Sequence, residues 1–389
     1  MSRPLEGIRV VEAAQYVAGP LCGLLLADLG ADVIKVEPPA GDGYRHVMPV
    51  AAGLGRFFIP LNRGKRSVVL DLKTGAGRDV LRRLLATADV VLHNAPPPRA
   101  ELFGLGWEQL HTAQPRLVLG VVTSFGEAGP LAGLPAYDLV AQARSGLLTA
   151  HASAGDEVPV RAGGIPMADL AAGFLLSSAV LAALVRARDT GVGERVEVSL
   201  LAAALAVQVQ DLVWLPGEPT GPARAATRDD LGARAKEIAG GVAMNPYYRC
   251  FEAADGFVAV ACLNRAQRQG LLDLFGLEDE TVEAPDLVPD DHAVLRRKEA
   301  LTQEIATRFA TEPVETWIDR LGSASVPCGP VLLREGVADD VQVSANGLVG
   351  RTQQAGVGEL ALLASVFGGG RVAPAPATGE HTEEVLASL

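Results

Sequence analysis

The chain has 389 residues, of which 49% are hydrophobic, so it is long enough to bury a large core and to fold as two or more domains. Its formal net charge of −12 argues against a nucleic-acid groove or an anionic membrane surface as its partner. We therefore expect an acidic soluble protein that binds neither nucleic acid nor membrane.

The cysteines and histidines indicate neither a disulfide framework nor a metal site. The four cysteines, Cys22, Cys250, Cys262 and Cys328, have no CxxC spacing, and the six histidines show no ligand-like pairing. The first seven residues lack the features of a signal peptide, and the apolar run 170–185 is shorter than a membrane span requires. A cytoplasmic location and no bound metal are the resulting predictions.

The first half of the chain alternates between strand and helix patterns. A strand at 8–12, a helix at 21–29 closed by Gly30 and a strand at 33–37 form a βαβ unit. Further strands are predicted at 68–73, 89–93, 117–122 and 196–198, and further helices at 77–87, 137–148 and 200–215. This alternation is typical of an α/β fold with a mostly parallel sheet. Glu37 stands where an acidic residue would meet a ribose, but the Gly-x-Gly-x-x-Gly fingerprint is missing, which disfavours nicotinamide and flavin.

The second half contains a change of composition. Residues 216–239 are rich in Gly, Pro, Ala, Arg and Asp, which is typical of a linker. Beyond it, two strands around an Asp-Gly turn and helices at 267–275 and 300–309 indicate a smaller α+β domain. We predict a large domain at 1–215 and 351–389, a small domain at 240–330, and linkers at 216–239 and 331–350.

Asp169 stands between a Gly-Gly-Ile-Pro turn and the long apolar run, where a helix should begin. Two interpretations are open. Asp169 could cap the helix by accepting hydrogen bonds from its first N–H groups. Alternatively, those groups and the helix dipole could hold an ionised, partly desolvated carboxylate that acts as nucleophile or base.

Basic residues are concentrated at Arg63, Lys65, Arg66 and Lys73. They indicate either a site for a phosphate-bearing small ligand or a solvated surface whose charges balance one another.

Several short motifs, in order along nearly the whole chain, resemble the family III CoA-transferases, also called the CaiB/BaiF family. They are AGP (18–20), LADLGADVIKVEPP (26–39), Gly41-Asp42, NRGKRS (62–67), LDLK (70–73), Tyr137-Asp138 with Gln142-Ala143, TGVG (190–193), ADG (254–256) and GEHT (379–382).

The resemblance implies an interlinked homodimer, in which each chain has a Rossmann-like large domain built from both chain ends and a smaller inserted domain. It places the catalytic aspartate on Asp169. That carboxylate would attack an acyl-CoA thioester to give an aspartyl anhydride and then an aspartyl-CoA thioester, which an acceptor acid attacks in turn. Helix N–H groups near Asp169 and the Gly240-Gly241 region would stabilise the oxyanions.

By the same resemblance, coenzyme A is a substrate, no cofactor is held permanently, and the CoA contacts fall on matching positions. These are Val17, Ala18, Pro38, Leu70, Asp71, Leu72, Lys73, Asn94, Ala95, Pro96, Arg99, Tyr137 and Asp138. Two basic residues of many relatives are replaced here by Leu102 and by Leu134-Pro135, and Arg99 could compensate.

Two alternatives remain. The related 2-methylacyl-CoA racemases use an Asp with a His that precedes the aspartate of the Tyr137-Asp138 segment, but Tyr137 occupies that position here, and a phenol exchanges protons poorly near neutral pH. His151 could instead approach from a loop. The chain could also bind acyl-CoA without turning it over. Met48, Phe57 and Phe58 indicate that an apolar acyl group is tolerated.

Overall fold

The computed structural model describes residues 3–152, 158–217, 224–282, 292–368 and 372–389. The chain divides into two compact units. The first comprises Met1–Leu148, Arg161–Pro222 and Ala338–Leu389, and the second comprises Thr149–Val160 and Ala223–Val337. Both ends of the chain thus belong to the first unit.

The central sheet of the first unit has six parallel strands in the order β5-β2-β1-β6-β7-β8. The strands of the chain are β1 Arg9–Ala13, β2 Asp32–Glu37, β3 Pro49–Ala51, β4 Leu54–Gly55, β5 Arg66–Val69, β6 Val90–His93, β7 Val118–Thr123, β8 Arg195–Ser199, β9 Tyr248–Glu252, β10 Phe257–Ala261, β11 Cys328–Pro330, β12 Val349–Gln354 and β13 Gly358–Leu363. The order of the strands across the sheet is that of doubly wound nucleotide-binding folds, and the direction in which successive strands are added reverses between β1 and β6. The predicted α/β fold with a parallel sheet is confirmed.

Helices lie between most of the strands. They are α1 Ala18–Asp28, α2 Phe58–Asn62, α3 Gly75–Leu85, α4 Pro97–Phe103, α5 Trp107–Ala113, α6 Asp138–Arg144, α7 Leu147–Ala150, α8 Met167–Thr190, α9 Leu200–Ala206, α10 Arg228–Met244, α11 Arg265–Phe275, α12 His292–Phe309, α13 Val314–Ser323, α14 Val341–Ala345 and α15 Thr382–Ala387. Short 3-10 turns occur at Gly43–His46, Ala162–Gly164 and Arg334–Asp339.

Helix α8 is the long apolar helix that carries Asp169, and with 24 residues it exceeds the predicted run. Its length and composition would suffice to cross a membrane. Here one side of it packs inside the first unit: Leu176 and Val180 are fully buried and lie over Gly120 of β7. A Cβ on Gly173 would stand 2.9 Å from the carbonyl oxygen of Ala18, so the glycine lets α1 and α8 approach closely.

The end of the chain covers edge strand β5. The N–H of His381 donates to the carbonyl oxygen of Ser67, and the N–H of Val69 donates to Thr382 Oγ1. Backbone groups that an edge strand would expose are thereby satisfied.

Several expectations about the elements were wrong: the predicted strand 68–73 ends at Val69, and the predicted helix 137–148 is interrupted between α6 and α7. Helix α9 ends at Ala206 rather than at 215. Just beyond its end, the side-chain amide of Gln208 donates to the carbonyl oxygen of Ala204, which a backbone N–H would bond if the helix continued. Residues 228–239 of the predicted linker begin helix α10, which opens with a capping box of Thr227 and Asp230. Helices α2, α4, α5, α13, α14 and α15 were not predicted, and all of them except α13 have at most seven residues, too few for a periodicity to stand out.

The second unit contains the antiparallel strands β9, β10 and β11. Its core includes a cluster of aromatic rings, with Phe309 stacked on Phe251 and edge-on to Phe275. Indole Nε1 of Trp317 donates to the carbonyl oxygen of Phe309, which satisfies the polar atom of this buried side chain.

Candidate active site

Asp169 is the third residue of α8, and its carboxylate is not the helix cap. The helix begins after Pro166, and the N–H groups of Ala168 and Asp169 donate to Oδ1 of Asp138, at 3.0 and 3.3 Å. The interpretation of Asp169 as a cap is therefore wrong, because Asp138 of α6 performs that task.

The carboxylate of Asp169 is partly exposed, and no residue in the described ranges donates a hydrogen bond to it. Burial raises its pKa to about 7, and the negative charge of Asp138 adds to the rise, while Arg161 opposes it. A carboxylate with this pKa is more basic than an ordinary aspartate, and it is free to contact a ligand.

Asp138 is almost fully buried and is the centre of a small polar cluster. Its Oδ2 accepts hydrogen bonds from the amide of Gln142 at 2.8 Å and from Arg161 at 3.2 Å. Both carboxylate oxygens of Asp138 thus accept hydrogen bonds from within the protein, a role that the sequence did not reveal.

The N–H groups at the start of α8 are all occupied. Those of Ala168 and Asp169 donate to Asp138, that of Met167 donates to Ile165, and that of Leu170 donates to Pro166. The expectation that these groups stabilise an oxyanion is wrong, because Asp138 and the carbonyl oxygens of Ile165 and Pro166 already accept their hydrogen bonds. The Gly240-Gly241 pair lies in α10, in the second unit.

The loops predicted to contact CoA meet at the carboxyl edge of the parallel sheet. Residues 17–18 follow β1, Pro38 follows β2, residues 70–73 follow β5 and residues 94–96 follow β6. The amide of Asn94 exchanges two hydrogen bonds with the backbone of Gln15, which joins the loops after β1 and β6 where the strand order reverses. This edge is where ligands bind in open α/β sheets.

Tyr137 also returns to this edge. The N–H of Ala136 donates to Ser124 Oγ at 2.8 Å, directly after β7, so the following Tyr137-Asp138 pair lies beside the sheet.

The predicted contact residues differ in exposure. Val17, Ala18 and Leu70 are buried, so only their backbone edges can face a ligand, whereas Lys73, Pro96, Arg99 and Tyr137 are exposed. Pro38, Asp71, Leu72, Asn94 and Ala95 are intermediate. Leu102 and Leu134 are both exposed, so the two leucines that we expected to stand in place of basic residues face solvent.

The basic cluster of the sequence is mostly internal. Lys65 Nζ lies 2.7 Å from Glu12 with both side chains fully buried, Arg63 pairs with Asp28, and Arg66 pairs with Asp32. Charge balance therefore explains three of the four cations, and Lys73 alone of the four is exposed. Glu37 is likewise occupied, by Arg45 and by the hydroxyl of Ser67, so it is not available to a ribose.

A buried ion pair supports the loops beside Asp169. Lys35 Nζ lies 2.8 Å from Asp42 and 2.9 Å from Glu12, and all three side chains are fully buried. Oδ1 of Asp42 accepts the N–H groups of Tyr16 and Tyr44, at 3.3 and 2.9 Å. The network thus fixes the backbone from which two tyrosine rings project.

Those rings belong to an aromatic cluster that the sequence analysis missed. Tyr16 contacts Tyr44 and Tyr137 edge-on, and Tyr44 contacts Phe57. No periodicity signals the cluster, because its members come from four separate connections between elements. Met48 and Phe57 are exposed, as an acyl-binding role requires, whereas Phe58 is fully buried beneath the Arg45 guanidinium, so its expected role was wrong.

Comparison with known proteins decides the family. The model of CoA-transferase family III matches residues 5–382. The chain belongs to CoA-transferase family III.

The relatives of this family III CoA-transferase support the assignment over its whole length. The chain is 34% identical to a succinate–glutarate CoA-transferase of Agrobacterium fabrum, over 99% of this chain and 96% of the relative. It is 30% identical to a formyl-CoA:oxalate CoA-transferase of Streptomyces avermitilis, over 99% and 95%. A crystal structure of a CaiB/BaiF family protein from Brucella suis covers 100% of both chains, at 29% identity and a TM-score of 0.79.

The CoA-transferase is thus an enzyme that transfers CoA between carboxylic acids, with acyl-CoA as a substrate. All four of its cysteines are free thiols. Within the described part of the chain, no group of three or more His, Cys, Asp and Glu side chains is arranged to hold a metal ion.

Proposed function

We propose that Asp169 is the nucleophile of the transfer. Its carboxylate attacks the carbonyl carbon of a donor acyl-CoA, and the C–S bond breaks to give an aspartyl anhydride and CoA thiolate. The thiolate then attacks the aspartyl carbonyl of the anhydride, which releases the donor acid and leaves an aspartyl-CoA thioester. An acceptor carboxylate then attacks the aspartyl-CoA thioester and releases the thiolate, which gives a second anhydride. The thiolate attacks the acceptor carbonyl of that anhydride, so that acceptor acyl-CoA is formed, the Asp169 carboxylate is freed and no ATP is consumed.

One observation carries this proposal: the carboxylate of Asp169 is partly buried, has no hydrogen-bond donor among the described residues, and lies on a helix whose first turn is held by Asp138. A desolvated carboxylate is a better nucleophile than a hydrated one, because it does not have to shed water before it attacks. A raised pKa also increases its basicity.

We further propose that CoA lies along the carboxyl edge of the sheet. The backbone of residues 17–18, 70–73 and 94–96 and the side chains of Tyr137 and Pro38 would contact it. Lys73, in the loop after β5, and Arg99, in α4 directly after residues 94–96, are exposed cations, and they would bind its phosphates.

The family assignment and the exposed apolar surface support an interlinked homodimer whose subunits each combine a large and a small domain. Val209, Val213, Trp214 and Leu215, in the segment after α9, are more than half exposed although strongly apolar. A second copy of the chain would cover such a surface. Light scattering should give the mass of a dimer, and a monomer at micromolar concentration would overturn this part. The free thiols support a cytoplasmic location.

Hydroxylamine trapping tests the nucleophile. The enzyme is incubated with a donor acyl-CoA and hydroxylamine, and the peptide containing Asp169 is analysed by mass spectrometry. An Asp169 hydroxamate is expected, and Asp169→Asn and Asp169→Ala should abolish both the adduct and CoA transfer. Asp189→Asn, at the exposed far end of the same helix, is the matched control and should retain both.

The same experiment separates the alternatives. Exchange of the α-proton of the acyl group into deuterated water, without an adduct, would identify a racemase. Binding with neither exchange nor adduct would identify a protein that only binds acyl-CoA. Succinyl-CoA with glutarate and formyl-CoA with oxalate, the substrates named for the relatives, are the first pairs to assay.

The phosphate contacts have their own test. Lys73→Ala and Arg99→Ala should each weaken the binding of CoA by about tenfold, whereas Arg83→Ala, an exposed arginine on α3, should not. A dissociation constant unaffected by Lys73→Ala or Arg99→Ala would remove that residue from the phosphate site.

A further inference from the structure

The aromatic cluster, Tyr16, Tyr44, Phe57 and Tyr137, is built from four connections between elements of the first unit. The ring centroids of Tyr16 and Tyr44 are 5.5 Å apart, those of Tyr16 and Tyr137 are 5.6 Å apart, and those of Tyr44 and Phe57 are 6.0 Å apart. The two tyrosine pairs meet edge-on, the arrangement that aromatic quadrupoles favour. The four rings therefore form one continuous surface.

The backbone of Tyr16 is held in an unfavourable conformation. Its φ of 70° lies in the left-handed region, which residues with a Cβ rarely adopt. Two features retain it: Asp42 accepts its N–H, and Gly43 leaves room for its ring, since a Cβ on Gly43 would stand 2.7 Å from the Tyr16 hydroxyl oxygen. Strain that the surroundings enforce in this way is typical of functional sites.

The cluster stands beside the nucleophile. Tyr137 directly precedes Asp138, whose carboxylate binds the N–H of Asp169. The pKa of the Tyr44 hydroxyl is raised by burial and then by the charge of Asp169, the strongest charge acting on it. Phe57 is 44% exposed and Tyr137 is 66% exposed, so both rings have surface left for a ligand.

The geometry points to the aromatic cluster as the wall that binds the acyl group. The substrate class that this wall selects over short dicarboxylates consists of acyl groups with a flat apolar portion, either aryl or arylalkyl. This inference rests on the proposed attack by Asp169, because it places the acyl group next to that carboxylate. Ring faces and edges contact a flat apolar group well, and they supply no charge to bind a second carboxylate.

Donor preference tests the inference. With phenylacetyl-CoA and succinyl-CoA as donors, kcat/KM is expected to be at least about tenfold higher for phenylacetyl-CoA. Phe57→Ala should lower the ratio of the two kcat/KM values by about tenfold, because it removes one ring of the wall. Gly43→Ala should lower the ratio as well, because it displaces the Tyr16 ring. Phe367→Ala, a phenylalanine of similar exposure outside the cluster, should leave the ratio unchanged.

The outcomes separate this inference from the proposed mechanism. If succinyl-CoA gives an Asp169 hydroxamate, the mechanism stands. The inference would still be overturned by a higher kcat/KM for succinyl-CoA, or by a ratio of the two kcat/KM values that Phe57→Ala and Gly43→Ala leave unchanged. Failure of every donor to form the adduct would overturn both. Thermal unfolding of each variant shows whether a lost preference reflects lost folding.

Discussion

Asp138 accepts a hydrogen bond from the backbone N–H of Asp169, 3.3 Å away, and it also accepts the neighbouring N–H of Ala168. One carboxylate thus caps the helix from which the other projects. The side chain of Asp169 therefore does not cap the helix, and the charge of Asp138 contributes to the raised pKa of Asp169. The geometry and the basicity of Asp169 therefore depend on the same neighbour.

Replacing Asp138 by Asn should change the pH dependence of the enzyme as well as its stability. Loss of the negative charge lowers the pKa of Asp169, so the rise of kcat/KM with pH should move to lower pH. Weaker capping should lower the free energy of unfolding by about 1–2 kcal/mol. Rate profiles and urea denaturation measure the two effects. Asp79→Asn, on an exposed aspartate of α3, serves as control, and an unmoved profile in Asp138→Asn would contradict the coupling.

The wild-type enzyme should itself gain activity as pH rises through about 7, the pKa to which burial raises Asp169. The nucleophile has to be ionised in the free enzyme, so kcat/KM should increase below this pH and level off above it. An aspartate with an ordinary pKa would give a flat profile over the same range. Initial rates between about pH 5 and pH 9 test this expectation; a flat profile would count against Asp169.

The stability of Asp169→Asn should exceed that of the wild type at high pH. The carboxylate binds its proton more tightly in the folded protein, where its pKa is about 7, than in the unfolded chain, where the ordinary pKa of 3.8 applies. The wild type therefore loses stability as pH rises from about 4 to 7, and it regains none above that. The Asp169→Asn variant has no carboxylate to titrate at this position and so does not lose this stability. The excess of its free energy of unfolding over that of the wild type should therefore grow over the same pH range, and it should stay below about 4 kcal/mol because the group is partly exposed.

Denaturation of both proteins at several pH values provides the measurement. Equal dependence of the two unfolding free energies on pH would show that Asp169 titrates in its ordinary range.

Close packing between α1 and α8 should make Gly173→Ala destabilising, although alanine favours helices. The new Cβ would stand 2.8 Å from Cβ of Leu21 and 2.9 Å from the carbonyl oxygen of Ala18, so the helices have to separate, at a cost of about 1–3 kcal/mol. Gly232→Ala in α10, which meets open space, should be neutral or stabilising by up to about 1 kcal/mol. Urea unfolding of both variants compares them, and a stabilised Gly173→Ala would contradict the packing argument.

The sequence alone determined the features that depend on near neighbours. Strands β1, β2, β6 and β7 and helices α3 and α8 lie within a few residues of their predicted bounds. The central strands are buried on both faces and α8 is apolar along most of its length, so they stand out as continuous apolar runs, whereas α3 buries one face and shows a helical periodicity. The short motifs likewise indicated the family, which the comparison confirmed. Asp169 was expected to be the first residue or the cap of its helix, and it is the third residue, so the sequence located the start of the helix to within a few residues.

Only the tertiary structure decided which groups meet across the chain. Asp138 caps a helix 30 residues farther on, Lys65 pairs with Glu12 over 53 residues, and Tyr16 is held in a left-handed conformation by Asp42. Sequence patterns report how often a residue type is buried, but not which distant polar group satisfies it there. That choice depends on the path of the backbone, which brings six parallel strands into one sheet and so determines which distant side chains meet.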